Sequence, residues 1–309
     1  MIEMLEIFDM NWVAQGIRLS VPLVFAALGG LLSERAGVIN IALEGKMLFG
    51  AFAGVAVTWW TGANLLGLVA ALAMGAAIGW VHAWFSITVR ADQIVSATAI
   101  NLFALGVTAA LIPAIWEGGR ANTPGVERFR RFEVPVLADL PEIGTVFSRL
   151  GWFDYAALVL APVVWLVLWR SPFGLRLRAC GESPEAAASV GVNVIRTRYT
   201  AVMLAGVFAA LGGVYLSLVQ NGLFQRGITN GRGFLALAAM IFGKWRPIPV
   251  LGACLLFGMA DAYQLRAQSK SDLPVELFQA LPYVVGLITL VFVGRAVAPA
   301  AIGRTYVKD

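Results

Sequence analysis

An all-α integral membrane protein of about nine crossing segments (eight to ten), some of them broken helices, is the fold class this sequence predicts. Three observations carry that expectation. Of 309 residues, 59% are hydrophobic and only 13% are charged, about half the charged share of a soluble domain. The apolar residues gather in stretches, most of roughly 17–23 residues, a length that lets a helix cross the hydrocarbon of a bilayer. The 33 glycines suit helices that approach closely or break inside a membrane. Ten Trp and 18 Phe fit interfacial belts and lipid-facing surface. The formal charge of +5 sits in short loops between apolar stretches and forms no nucleic-acid patch. Residues 1–309 read as a single membrane domain.

The first apolar stretch, Trp12 to Leu32, holds Arg18 near one end and Pro22 inside. A charged break at Glu34 and Arg35 follows, and the second segment runs from about Val38 to Trp60. Asn40, Glu44 and Lys46 interrupt it and Gly45 relaxes it, so a broken helix is expected there. Leu65 to Phe85 and Ile94 to Trp116 make the third and fourth segments, with Arg90, Asp92 and Gln93 marking the interface between them. Residues 117–151 carry prolines at 124, 135 and 141 and charges of both signs, which reads as an extracytoplasmic loop with a little irregular strand. Phe153 to Trp169 is the fifth segment and Tyr199 to Val219 the sixth. The Gly/Asn-rich break NGLFQRGITNGRG, residues 221–233, leads into Phe234 to Phe242, too short to cross as an ordinary helix. A basic turn at 243–249, an abbreviated segment from Val250 to Gln264, and a mixed-charge loop with Arg266, Lys270, Asp272 and Glu276 precede the last segment, Leu281 to Val297.

The distribution of basic loops places residues 170–198, Arg35, Arg90, the Lys244/Arg246 turn and the C-terminal tail on the cytosolic side, with the N-terminus outside. No cleavable leader is expected, because MIEMLEIFDMNWVAQG lacks a basic start and a small-residue cleavage site. The cytosolic loop 171–198 contains a short helix signal: Ser183 suits the N-cap, Pro184 the first turn, Glu185 the positive helix end, and Gly191 the stop. Fewer than two turns are not stable alone, so this helix must pack against something. Ringed by Arg176, Arg178, Arg196 and Arg198, it reads either as a dock for a soluble partner or as an ordinary capped loop near the headgroups.

Glu44 is the most informative single residue. A charge at mid-bilayer costs about 2.5 kcal/mol or more, so it must face protein or a wet cavity. Asn40, four residues earlier, would share its helical face, and the pair reads either as lining a translocation path or as a packing hydrogen bond. Asn101 has the same two readings. Lys46, two residues from Glu44, does not pair with it simply and would snorkel if near an interface. Asp261 with Tyr263 and Gln264 reads as an outer interface. GRGFLALAAMIFGKW, residues 231–245, reads as a second half-helix beside a path or as a close helix contact, and with residues 36–50 it hints at an inverted repeat. His82 is the single histidine, which argues against a histidine-based metal site or triad. No GxxxxGK[ST] stretch occurs, so the chain binds no ATP through a P-loop. Cys180 and Cys254 fall in different environments and are not expected to pair.

Three stretches carry a family resemblance. SERAGVINIALEGKMLFGAF, residues 33–52, resembles the signature of bacterial ABC importer permeases of the nucleoside and simple-sugar branch, related to the ribose and branched-chain amino-acid permeases. SPFGLRLRACGESPEAAASVGVNV, residues 171–194, is similar to that family's ATPase-engaging loop, and NGRGFLALAAMIFGKWRP, residues 230–247, to its later membrane motif. The resemblance implies a type II-like importer permease in the bacterial cell membrane. It further implies a second related permease, a cytosolic ATPase (often two fused domains) holding ATP and Mg, and an extracytoplasmic substrate-binding lipoprotein. No cofactor is implied in this chain itself. Gly181, Glu182, Ala187 and Gly191 fall on the coupling positions, with Glu185 and Ala186 in the same docking helix begun by Ser183. Asn40 and Glu44 fall on the first membrane motif, and Gly231, Gly233 and Phe234 on the later one. An ion-coupled secondary transporter of small polar solutes and a non-transporting membrane scaffold are the alternatives from the residues alone.

Overall fold

The computed structural model describes residues 9–116, 121–130, 144–269, 274–294 and 297–307. The elements are α1 (Met10–Arg35), α2 (Leu43–Thr61), α3 (Asn64–Ala83), α4 (Gln93–Ile115), α5 (Gly144–Phe147), α6 (Trp152–Arg170), α7 (Pro172–Glu182), α8 (Pro184–Ser189), α9 (Val194–Val214), α10 (Arg232–Phe242), α11 (Pro247–Ser269), α12 (Val275–Gln279) and α13 (Leu281–Val293). Wider-wound π turns extend α3 through Trp84–Val89 and α9 through Tyr215–Asn221. Local chemistry sets the boundaries. Asp9 caps α1 by accepting from the Trp12 N–H, and Asp92 caps α4 by accepting from Ile94 and Val95. Gly62 closes α2 in the left-handed conformation, φ +67°.

Among the described residues, six helices are long and apolar enough to cross a membrane: α1, α3, α4, α6, α9 and α11, with α3 and α9 counted together with their π turns. That is fewer than the nine segments expected. The other three expected segments are α2, α10 and α13. The first carries Glu44 and Lys46 in its opening turns. The second has 11 residues and the third 13, rises of about 16 and 20 Å against a hydrocarbon core of about 30 Å. Conversely α11, expected as an abbreviated segment ending at Gln264, runs to Ser269 over 23 residues. It continues because Arg266 is anchored to Asp9 at 2.6 Å and to the Gln15 amide oxygen at 3.3 Å. Arg266 is therefore helical and not part of a loop. Lys270 and Asp272 lie outside the described residues, and Glu276 falls in α12.

The helices are nested. In the apolar window of α1 83% of residues are buried and in that of α9 67%, against 28% in α3, α4 and α6. Hence α1 and α9, packed directly on each other with α2 against α9, form the interior, and the other spans present apolar surface outward. Small residues let these backbones meet, which inside a lipid layer is the main route to tight packing. A Cβ on Gly206 of α9 would lie 2.0 Å from the Gly75 carbonyl oxygen of α3. Likewise a Cβ on Gly213 of α9 would lie 2.0 Å from the Met47 carbonyl oxygen of α2.

The loops collect at two ends. At one end Arg35, residues 171–198, Trp245 and residues 300–304 touch one another. At the other, residues 122–129 lie along residues 218–225 through an Asn122–Gln225 antiparallel bridge and bonds from Thr123, Val126 and Phe129. Residues 117–120 and 131–143 of the expected outer loop lie outside the described residues.

Candidate functional site

The loop 171–198 folds as two helices where the residues suggested one. Ser171 caps α7 by accepting from the Gly174 N–H at 3.2 Å, and Ser183 caps α8 by accepting from the Ala186 N–H at 3.4 Å. Both helices start on a proline in the first turn. Gly191, at φ +85°, ends the second, and nothing lies within 4 Å of the Cβ it lacks. Ala187 is buried with Cys180 and Val194, which supplies the packing a six-residue helix requires. Burial pushes the Cys180 thiol pKa up, and neither described cysteine is in a disulfide. Outward lie Ser183, Glu185, Ala186, Ser189, Gly191 and Val190, the last 78% exposed.

This unit is fastened to the end of α1. A Cβ on Gly181 would lie 2.1 Å from the Arg35 carbonyl oxygen, so only glycine permits the approach. The Gly181 carbonyl accepts from the Ala301 N–H at 2.9 Å. Glu182 reaches Arg35 at 3.9 Å and accepts from the Ala300 N–H at 3.2 Å. Arg198 was expected on the arginine rim; instead it is 2% exposed. Its guanidinium donates to the carbonyls of Ala36 (3.0 Å), Arg304 (2.9 Å) and Cys180 (3.3 Å). Five fixed donors on a planar fork suit that three-way junction.

The two membrane motifs grip each other at both ends of α10. At its start the Glu44 carboxyl group accepts from the Gly231 N–H at 2.8 Å, the Gly233 N–H at 2.6 Å and the Thr229 hydroxyl. The orphan donors of a helix N-terminus are thereby satisfied by a side chain from another helix. A Cβ on Gly233 would lie 2.4 Å from the Glu44 nitrogen. Beyond its end, the Trp245 indole donates to Glu34 at 2.6 Å and the Trp245 carbonyl accepts from Arg35 at 2.8 Å. The half-helix is thus held to residues 34–44 at top and bottom.

Asn40 and Glu44 do not act together. The chain from Ala36 to Ala42 is not helical, so four-residue spacing does not put them on one face. Asn40 instead accepts from the Lys46 ammonium at 2.6 Å. Lys46 is fully buried, does not snorkel, and also meets His82 Nδ1 at 3.0 Å; that contact carries no short-range sequence signal. Asn101 accepts from the Gly45 N–H at 2.8 Å and donates to the Ile41 carbonyl at 3.0 Å. It joins α4 to the break before α2, as its packing reading had it. Phe234 is 49% exposed on the outer face of α10.

Of the path candidates, Gly231 lines a polar cavity. That cavity, about 320 Å³, is walled by Asn230, Gly231, Arg232 and Leu235 at the start of α10, by Asp261, Gln264 and Leu265 of α11, and by Leu19, Gln279, Pro282 and Tyr283. Asp261 and Gln264, read earlier as interface markers, share a helix face at i, i+3 spacing. That spacing was the available signal.

Residues 12–293 match the family described as branched-chain amino acid transport system / permease component. The guanosine ABC transporter permease protein NupQ of Bacillus subtilis (strain 168) is 42% identical over 93% of each chain. The nucleoside ABC transporter permease protein NupC of Lactococcus lactis is 36% identical over 96% of each. The Haloferax volcanii permease TsgC13, whose name proposes glucose as its cargo, is 40% identical over 82% of this chain and 77% of that protein. With the match running through α1 to α13, this chain belongs to the branched-chain amino acid transport system permease family.

Proposed function

We propose that the chain is the membrane permease subunit of an ATP-driven ABC importer for nucleosides, working with a second related permease. ATP and Mg belong to a cytosolic ATPase docking at Ser183–Gly191, and an extracytoplasmic lipoprotein delivers the substrate. Full-length identity of 42% to a guanosine permease is the observation that carries the substrate class. The anchoring of α7 and α8 to α1 supports the mechanical role. In this reading, residues 117–151 face outside, residues 171–198 face the cytosol, and the protein resides in the bacterial cell membrane. The shorter α2, α10 and α13 complete a type II-like arrangement of about nine segments with an inverted-repeat character.

Mechanically, displacement of α8 passes through Gly181 and Arg198 to residues 35–36. From there the Glu34–Trp245 and Arg35–Trp245 bonds carry it to α10, whose start borders the polar cavity. Rigid, close-packed contacts transmit such a shift because they cannot stretch. Glu182, Ser183, Glu185, Ala186, Ala187 and Gly191 serve the coupling. The buried Asn40, Glu44 and Asn101 hold the frame, with Gly231, Gly233 and Phe234 on the moving half-helix.

Simple sugars are the second reading, favoured by the similarity to TsgC13. Uptake of labelled guanosine, uridine, ribose and glucose by cells carrying the chain with its neighbouring transporter genes decides between them. Nucleoside uptake that disappears on deleting the chain and on inactivating the ATPase is the expected result. Uptake of sugars alone overturns the nucleoside assignment, and uptake by the purified chain on an ion gradient overturns the ABC assignment.

A further inference from the structure

We infer that the cavity between α10, α11 and α13 is a station on the translocation path that reads the edge of a 6-oxopurine base, with Asp261 and Arg232 as the reading pair. This inference rests on the nucleoside reading above and adds to it a site and a preferred base.

Depth is the first argument. Asp261 lies fourteen residues beyond Pro247 and Leu19 sixteen before Arg35, about 21 and 24 Å along their helices from the end where Trp245 meets Arg35. Measured from that end across a core of about 30 Å, the cavity lies roughly two-thirds to four-fifths of the way across, still within the hydrocarbon. Arg232, Asp261 and Gln264 are each partly exposed there, and Gln279 is exposed. A carboxylate and a guanidinium facing lipid at that depth are expensive, so this face must border water or protein and not acyl chains. That is where a path shared with a second permease would run.

The chemistry of the lining is the second argument. Asp261 supplies two acceptor oxygens and Arg232 a fork of donors, and the Arg232 Nε has no hydrogen-bond partner among the described residues. Guanine presents, side by side, two N–H donors (N1 and the exocyclic N2) and an O6 acceptor. A carboxylate takes the first two and a guanidinium the third. Adenine offers an acceptor at N1, which the carboxylate repels, and uracil offers only one donor between two acceptors. Asn230, Gln264 and Gln279 leave amide groups for the ribose, and Tyr283, 57% exposed at the rim, offers a ring for stacking. The volume of about 320 Å³ sits at the lower end of the range of small-molecule sites, about 300–1,000 Å³.

The test is competitive uptake of labelled guanosine, inosine, adenosine and uridine in cells carrying the complete transporter, normalised to the amount of this chain in the membrane. Asp261→Asn replaces one acceptor by a donor, and guanosine uptake relative to uridine should fall about tenfold, in line with losing a bidentate base contact. Inosine, which lacks N2, should fall less. Tyr283→Ala, at an exposed position that the fold does not need, should weaken all four nucleosides together. An unchanged guanosine-to-uridine ratio in Asp261→Asn overturns the base-reading role, even if total uptake drops. If Asp261→Asn does not reach the membrane, Arg232→Gln carries the same ratio test, with the same two outcomes. Wild-type cells that take up sugars and no nucleoside overturn the nucleoside reading and this site with it, a result distinct from an unchanged ratio.

Discussion

Gly233 donates its backbone N–H to Glu44 Oε2 at 2.6 Å, although 189 positions separate the two in sequence. Together with the Gly231 bond and the Thr229 hydroxyl, it makes Glu44 the cap of a half-helix that has no cap of its own. Glu44→Ala would leave those donors buried and unpaired. At about 1–3 kcal/mol for each unsatisfied group, the three donors together imply a loss of roughly 3 kcal/mol or more, read as a lower unfolding temperature of the detergent-solubilised protein. Glu44→Gln keeps one acceptor and should lose about half as much. Unchanged thermal stability in both would remove the capping role.

The α7–α8 unit should separate coupling from folding. Glu185 is exposed in the first turn of α8, and its side chain makes no hydrogen bond or ion pair among the described residues. Glu185→Lys should leave the membrane level of the protein intact while uptake falls and ATP hydrolysis continues or declines independently. Glu182→Ala also removes the Arg35 and Ala300 contacts, so its uncoupling should come with a modest loss of stability, under about 1 kcal/mol for a partly exposed pair. Normal uptake and normal ATPase association in both variants would sink the assignment of this loop.

Arg198 should behave in the opposite way, as a structural junction. Three carbonyls from three segments converge on its guanidinium, and Arg198→Lys cannot reach all three with one ammonium. A drop in membrane accumulation of Arg198→Lys, and a larger one for Arg198→Ala, is expected in quantitative immunoblots. Normal levels for both would contradict the junction.

The six long spans and the start of α8 were legible because each depends on local pattern: hydropathy and a Ser-Pro-Glu cap. The partners of the buried polar residues were not. Asn40 and Glu44 look like a helical i, i+4 pair only if the chain between them is helical. The break through Ala42 sends one to Lys46 and the other to Gly231 and Gly233. Arg198 resembles its surface neighbours Arg176 and Arg196 in sequence, and its burial follows from where the end of α1 and residues 301–304 happen to meet. Asp261 and Gln264 read as markers of an outer interface, and the cavity they line needs α10 and α13 to close it. The bonds from Glu44 to Gly231 and Gly233 and from Arg198 to Ala36 and Arg304 join positions more than 100 residues apart, beyond any window along the chain, while the Asn40–Lys46 pair, six residues apart, forms only because the chain between them leaves the helix.

At the start of α1, Asp9 predicts a pH dependence. Partial burial alone would raise its pKa, but hydrogen bonds from Asn11, Arg266 and Trp12, with the Arg266 charge, outweigh that and lower it from 3.8 to about 2. A carboxylate with a depressed folded-state pKa stabilises fully above its ordinary value and loses that contribution as pH falls through the folded one. The anchor between the start of α1 and the end of α11 should therefore hold above about pH 4 and release between there and pH 2. Hydrogen exchange at the Trp12 and Val13 amides should accelerate in that window beyond its intrinsic trend, and Asp9→Asn should remove the extra acceleration.

The crossing of α3 and α9 gives the sharpest packing prediction. Gly75 and Gly206 face each other so closely that a methyl group on either would sit 2.4 or 2.0 Å from the other's carbonyl oxygen. That atom is backbone and cannot swing aside as a side-chain tip would. Gly206→Ala must therefore push two helices apart, at a cost of about 1–3 kcal/mol for an overpacked contact, and Gly206→Leu should prevent accumulation. Gly106 of α4 is the internal control, since nothing lies within 4 Å of its missing Cβ. Gly106→Ala should be neutral or slightly stabilising, because alanine favours the helix by up to about 1 kcal/mol. Equal unfolding temperatures for the Gly206→Ala and Gly106→Ala proteins would show that the helices do not meet at Gly206.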